Sequence, residues 1–174
     1  IPEEKEAWSI FEVAVGAECV GACIFRNMDE VLPLFAGQAE IGGIGLCFSG
    51  GDVYCIRTGK GIAKEWLLKT LEDTARSAGR YVMFDLKHAL TYLRLTDTGN
   101  CFDATVAAYL LNPLKNNYTY EDVAREQLDI IIEEKAEPYI KVCYEAYTAY
   151  AASGVLWKKL KECGMDRLFV EIEM

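Results

Sequence analysis

The sequence is poor in the residues that build zinc sites. It has a single histidine, His88, and its seven cysteines are scattered without any Cys-x2-Cys pair. A zinc site needs closely spaced thiolates or imidazoles, so this spacing argues against one. Most of the cysteines fall in apolar segments, where cysteine behaves as a small buried hydrophobic residue. We therefore expect free thiols and a reducing, cytoplasmic setting.

Long apolar runs and clusters of basic residues are also missing. No stretch approaches the roughly 20 apolar residues of a membrane span, and the polar, acidic start does not resemble a signal peptide. The net charge is −9, and the densest basic cluster is Trp-Lys-Lys-Leu-Lys at 157–161. Sequence-independent DNA binding depends on basic residues that neutralise phosphates. We therefore expect weak or no DNA binding by this chain alone, and no membrane contact.

The composition is that of a folded domain. Hydrophobic residues make up 52% of the 174 residues, which is enough for one domain with a substantial core. The chain begins with Ile rather than Met, which suggests a piece of a longer protein. We expect residues 1–6 to be the end of a linker and residues 7–174 to form a single domain.

Local patterns predict strands early in the chain and helices later, which indicates an α/β sheet covered by helices. Asn27 is predicted to cap a short helix over 28–35, and Asp85 and Asp103 to cap the helices that follow them. The predicted strands are 8–15, 19–25, 41–48, 53–57 and 81–84. The remaining predicted helices are 62–77, 104–111, 121–127, 129–150 and 154–162.

Three segments carry a family resemblance. Residues 102–113 read Phe-Asp-Ala-Thr-Val-Ala-Ala-Tyr-Leu-Leu-Asn-Pro. Residues 118–124 form the predicted start of the next helix, and residues 168–174 end in Glu-Ile-Glu-Met. In this order they resemble the proofreading 3′–5′ exonuclease domain of bacterial DNA polymerase I, family A. The resemblance covers about residues 39–174. It implies an α/β, ribonuclease-H-like fold of the DnaQ exonuclease type, with a mixed sheet flanked by helices.

The resemblance also implies a chemistry. Active members of the family cleave the 3′ end of a primer with two metal ions held by four carboxylates. Such ions stabilise the attacking hydroxide and the leaving oxygen, and hard cations require oxygen ligands.

The first family motif is Asp-x-Glu on the first strand. One alignment places Glu12 at the Asp position and Ala14 at the Glu position. A rival alignment uses residues 19–25 as the first strand and supplies no acid. Both alignments lack the pair of carboxylates.

The other two motifs have lost their acids as well. Asp-Leu-Lys-His-Ala at 85–89 resembles the family's Asn-Leu-Lys-Tyr-Asp, so Ala89 stands at a ligand position. In place of the late Tyr-x3-Asp, Lys141 and Glu145 fall at or near the two positions. The resemblance therefore predicts degenerate positions at Glu12, Ala14, Ala89 and Glu145, with no intact catalytic residue and no metal or other cofactor bound.

Three functions are consistent with these observations. The first is an inactive exonuclease-like module, monomeric, that supports an adjoining polymerase domain in replication and repair; the parent DNA-directed DNA polymerase would use Mg²⁺ and contact DNA. The second is a weak metal-dependent 3′–5′ exonuclease using Glu12, Asp103 and Glu145. The third is a protein-interaction module whose acidic surface docks a basic partner.

Overall fold

The computed structural model describes residues 4–27, 40–133 and 135–173. The strands are β1 (Val20–Asn27), β2 (Glu40–Phe48), β3 (Asp52–Arg57), β4 (Tyr81–Met83) and β5 (Cys101–Asp103). The helices are α1 (Glu4–Val15), α2 (Lys64–Ser77), α3 (Leu86–Ala89), α4 (Ala104–Leu111), α5 (Tyr120–Leu128), α6 (Pro138–Glu162) and α7 (Asp166–Leu168), followed by a π-helical turn, Phe169–Glu173.

The strands form one mixed sheet in the order β3-β2-β1-β4-β5. The first three strands are antiparallel neighbours, whereas β4 runs parallel to both β1 and β5. Helices cover both faces. The α/β mixed sheet flanked by helices that the sequence predicts is therefore confirmed.

Helix α6 lies directly against one face of the sheet because both surfaces are built from small residues. A Cβ atom added to Gly21 of β1 would lie 2.5 Å from the Tyr150 backbone nitrogen. One added to Gly45 of β2 would lie 2.7 Å from the Val142 carbonyl oxygen. Both glycines are thus required by close approach of the helix backbone, which fixes α6 across the middle of the sheet.

The opposite face carries the main core. Alternate residues of a strand point to opposite faces, so Ile44 and Leu46 of β2 point away from α6. They belong to a buried cluster with Phe11 of α1 and with Leu67 and Leu71 of α2.

The strand predicted at residues 8–15 is wrong, because this segment lies in helix α1. Its residues Ala7, Phe11 and Ala14 are buried, whereas Glu12 and Val13 are exposed. The spacing of four and then three residues is that of one helix face. Burial of that face in the core shared with α2 outweighs the β-forming tendency of the individual residues. The helix begins at Glu4, inside the segment predicted as a linker end, and residues 1–3 lie outside the described residues.

The helices predicted at 129–150 and 154–162 are one helix, α6, and the described residues of 129–137 are not helical. Pro138 occupies the first turn, where a missing N–H costs nothing, so the helix begins there. Gly154 is accommodated in mid-helix. The helix predicted at 28–35 lies outside the described residues.

The remaining predictions agree with the structure. The β2–β3 hairpin, helix α2 and the caps at Asp85 and Asp103 are confirmed, while strand β5 was not predicted. Within the described part of the chain, no helix is long and apolar enough to cross a membrane.

Candidate functional site

A cleft lies where the end of β1 meets α3 and α6. Ile24 and Arg26 of β1, Ala89 and its neighbour His88 of α3, and Glu145 of α6 line a cavity of about 110 Å³. An adjoining cavity of about 270 Å³ is again lined by Ile24, Arg26 and Glu145. Both are smaller than the roughly 300–1,000 Å³ typical of small-molecule sites, so the cleft is narrow.

Strand β1 supplies two neighbours in this cleft. Ile24 and Arg26 are separated by one residue, so strand alternation places them on the same side, and both line the first cavity. Their spacing is that of an Asp-x-Glu motif. An aliphatic and a cationic side chain therefore line the cleft beside Ala89, whereas Cys23, on the face of β1 that α6 covers, is the strand residue in direct contact with Glu145.

Glu145 is the acid that α6 places in the cleft. Its side chain is half-buried, and burial raises its pKa from 4.5 to about 7. Repulsion by the carboxylates of Glu121 and Asp85 also raises this pKa, while the Cys23 thiol and the Arg26 guanidinium lower it. The cleft thus holds a carboxyl group that is easily protonated near neutral pH.

Arg26 is held by His88. Its Nη1 atom contacts the His88 Nε2 atom, and since a guanidinium can only donate, the imidazole nitrogen accepts. The imidazole ring also meets the Tyr92 ring edge-on at 5.8 Å between centroids. His88 is therefore a satisfied, half-buried residue that positions the guanidinium.

Two nearby aspartates cap helices by accepting hydrogen bonds from backbone N–H groups. Asp103 Oδ1 accepts from the Thr105 N–H at 2.8 Å and from the Val106 N–H, and Asp103 Oδ2 accepts from the Leu86 N–H at 2.8 Å. This buried carboxylate caps α4 and also ties the start of α3 to it. Asp85 caps α3 from a left-handed backbone conformation, φ 49°.

The structure separates the four positions predicted from the sequence. Ala89 and Glu145 line the same cavity, whereas neither Glu12 nor Ala14 does. Glu12 is exposed on α1 and Ala14 is fully buried in the core. The alignment that used Glu12 and Ala14 is therefore wrong, and the rival alignment, with residues 19–25 as the first strand, agrees with β1.

Sequence reasoning missed Arg26. The rival strand was ended at Phe25, one residue short of it, whereas β1 runs on through Arg26 to Asn27. Extending the alternation from Ile24 by two residues would have found the guanidinium.

The residues of the cleft do not fit a pair of divalent cations. Within the described ranges, no three or more histidine, cysteine, aspartate or glutamate side chains are grouped so as to hold a metal ion. Glu145 has the Cys23 thiol as its hydrogen-bond partner and the Arg26 guanidinium nearby, while the carboxylates of Glu121 and Asp85 act on it only through their charge. Hard cations need several oxygen ligands, which this arrangement does not offer.

Comparison with known proteins gives the fold. No protein-family model matches the chain, and no curated protein matches it. Among solved structures, the POL domain of Pol1 from M. smegmatis, in complex with DNA primer-template and dNTP, matches with a TM-score of 0.73 and 15% identity. The match covers 99% of this chain and 29% of that chain.

Two nuclease structures match as well. Brucella melitensis NrnC bound to pGG has a TM-score of 0.68 and 14% identity, over 89% of this chain and 79% of that chain. The Aedes aegypti Nibbler EXO domain has a TM-score of 0.63 and 12% identity, and the match covers 98% of this chain and 91% of that chain. Sheet order, flanking helices and these matches together show that the chain has the ribonuclease-H-like fold of 3′–5′ exonucleases.

Proposed function

We propose that this chain is a catalytically inactive 3′–5′ exonuclease domain, a structural module that supports the DNA-directed DNA polymerase activity of a longer parent protein. The parent acts in bacterial DNA replication and repair in the cytoplasm, as a monomer. Its adjoining polymerase domain uses Mg²⁺ and contacts DNA, whereas the present chain binds no cofactor.

Two likenesses support a place beside a polymerase domain. The structural match to the M. smegmatis polymerase chain covers nearly all of this chain and 29% of that chain. The segments 102–113, 118–124 and 168–174 resemble the exonuclease domain of DNA polymerase I up to its junction with the polymerase domain.

The inactivity rests on one observation, the side chains of the cleft. Ala89 and Glu145 stand at two of the four positions where the resemblance requires metal-binding carboxylates, and Ile24 and Arg26 of β1 line the same cavity. Isoleucine and alanine offer no ligand atom, and arginine repels cations. Catalytic groups that act as a unit lose nearly all activity when one member is removed, so the loss of three leaves nothing for Glu145 to complete.

The proposal is tested on the parent protein with a primer whose 3′ nucleotide is mismatched and with no nucleotide triphosphates present. We expect no shortening of the primer with Mg²⁺ or Mn²⁺, and no difference between the wild type and Glu145→Gln. Deleting residues 1–174 should lower the temperature at which nucleotide incorporation is lost, because the module supports its neighbour. Metal-dependent shortening that Glu145→Gln abolishes would contradict inactivity, and unchanged heat resistance after the deletion would contradict the supporting role.

A second candidate is a weakly active metal-dependent exonuclease. Glu145 favours it, because a carboxyl group is present in the cleft, and Asp85 and Glu121 are close enough to raise its pKa. The likeness to the NrnC and Nibbler nuclease structures is compatible with it. This candidate requires Glu145 to be essential for nucleotide release, which is the outcome that separates it from the first.

A further inference from the structure

Arg26 occupies a special place among the side chains of the cleft. It lines both cavities together with Glu145. Lys141 is the other permanent cation among the residues that line these cavities, and it lines only the second of them. Among the described residues, the guanidinium is therefore the one fixed positive charge that both parts of the cleft share.

The guanidinium is also fixed in position. It comes from β1, the central strand of the sheet, and His88 of α3 accepts a hydrogen bond from it. It is close enough to Glu145 to lower the pKa of that carboxyl group. A cation held between α3 and a carboxyl group of α6 supplies the positive charge that a metal ion would bring to the same place.

We propose that Arg26 takes the place of the metal ions in this cleft and excludes divalent cations, so that missing carboxylates alone do not account for the loss of metal binding. The inference rests on the proposed function and deepens it. Two causes are possible in principle: too few ligands, or a resident cation in their midst. The two causes can be separated by their effect on metal affinity. If ligands are too few, adding carboxylates restores binding; if the guanidinium excludes the metal, removing its charge strengthens binding.

The test is a comparison of Mn²⁺ affinities, by electron paramagnetic resonance of the free ion, in variants that differ only at Arg26. The background is Ile24→Asp/Ala89→Asp, which adds two carboxylates to the lining of the cavity that Glu145 also lines. Into it is introduced Arg26→Gln, which removes the charge without adding a ligand. The matched control is Lys87→Gln in the same background, because Lys87 is an exposed cation of α3 that lines neither cavity.

We expect Arg26→Gln to tighten Mn²⁺ binding in this background by at least about tenfold, as removal of a neighbouring like charge requires, and Lys87→Gln to leave it unchanged. Equal affinity with and without Arg26, or an equal gain from Lys87→Gln, would overturn the inference. If the Ile24→Asp background does not fold by circular dichroism, the same comparison in Ala89→Asp alone decides in the same way. Nucleotide release by the wild type would instead refute the proposed function.

Discussion

At the scale of single residues, the cleft is defined by two side chains of opposite charge type, the Glu145 carboxyl group and the Arg26 guanidinium. On the proposed function, an acid, Glu145, and a guanidinium, Arg26, lie in the cleft that in active members of the resembled family holds four acids and two metal ions. Two unit charges about 4 Å apart interact by about 4 kcal/mol at an effective dielectric constant near 20, and a divalent ion doubles this. A repulsion of that size is comparable to the whole stability of a small domain, which is the physical reason for proposing that Arg26 disfavours a metal ion in this cleft.

Glu145 should make the stability of the protein depend on pH. Its folded-state pKa of about 7 exceeds the ordinary 4.5, so the folded state binds this proton more tightly than the unfolded state. The contribution is fully present below pH 4.5 and is lost as the pH rises through 7. At about 1.36 kcal/mol per pKa unit, ionisation costs up to about 3 kcal/mol. The groups that face Glu145 are Cys23, Arg26, Asp85, His88, Glu121 and Lys141.

Glu145→Gln should therefore raise the free energy of unfolding at pH 8 by up to about 3 kcal/mol and leave it nearly unchanged at pH 4.5, where the wild-type carboxyl group is already protonated. Urea unfolding across this pH range measures the difference. Glu12→Gln, at an exposed carboxylate of α1, is the control and should follow the wild type. A Glu145→Gln profile parallel to that of the wild type would show that the cleft does not disfavour the ionised carboxylate.

Residue-scale prediction worked where the chemistry is local. Asp85 and Asp103 were expected to be caps, because a carboxylate that precedes a helical segment accepts its free N–H groups, and both are caps. Arg26 and Glu145, by contrast, are 119 positions apart in the chain. Their meeting depends on β1 and α6 crossing, which no local pattern encodes.

At the scale of elements, two helices show what the sequence can and cannot specify. Helix α1 contains residues that favour β-strands, but its apolar residues are spaced as on one helix face. Burial of that face in the core shared with α2 decides between strand and helix. Helix α6 continues through Gly154 because packing against the sheet outweighs the cost of one glycine, about 1 kcal/mol. Propensity is a weak constraint wherever tertiary burial is large, and this is why the strand expected at 8–15 and the helix break expected at 151–153 were both wrong.

The contact between α6 and the sheet gives a prediction at this scale. Gly21→Ala places a methyl group against the backbone of α6, at 2.5 Å from the Tyr150 nitrogen, and a helix backbone cannot yield locally. We expect it to lower the free energy of unfolding by about 3 kcal/mol or more, at the upper end of the cost of overpacking, in urea or thermal unfolding.

The control for this prediction is on the same helix. A Cβ atom added to Gly154 meets no heavy atom within 4 Å, so Gly154→Ala should stabilise the protein by up to about 1 kcal/mol through helix propensity. Similar effects of the two substitutions would mean that α6 does not lie as close to β1 as the structure has it.

At the scale of the whole molecule, the sheet order, the α6 crossing and the Asp103 cap give the chain the fold of 3′–5′ exonucleases. On the proposed function, the cleft of this fold lacks the carboxylates that the chemistry of that family needs. The net charge of −9 adds a long-range repulsion of nucleic acid. On the proposed function, such a domain supports its neighbour and does not act on DNA.

The most direct test of this account is the release of 3′-terminal nucleotides from end-labelled single-stranded DNA by the isolated chain, with excess protein and with Mg²⁺ or Mn²⁺. The account predicts release no faster than in the protein-free control, for the wild type and for Glu145→Gln alike. Metal-dependent release by the wild type that Glu145→Gln abolishes would contradict it, because the cleft would then be an active metal site despite Ile24, Arg26 and Ala89.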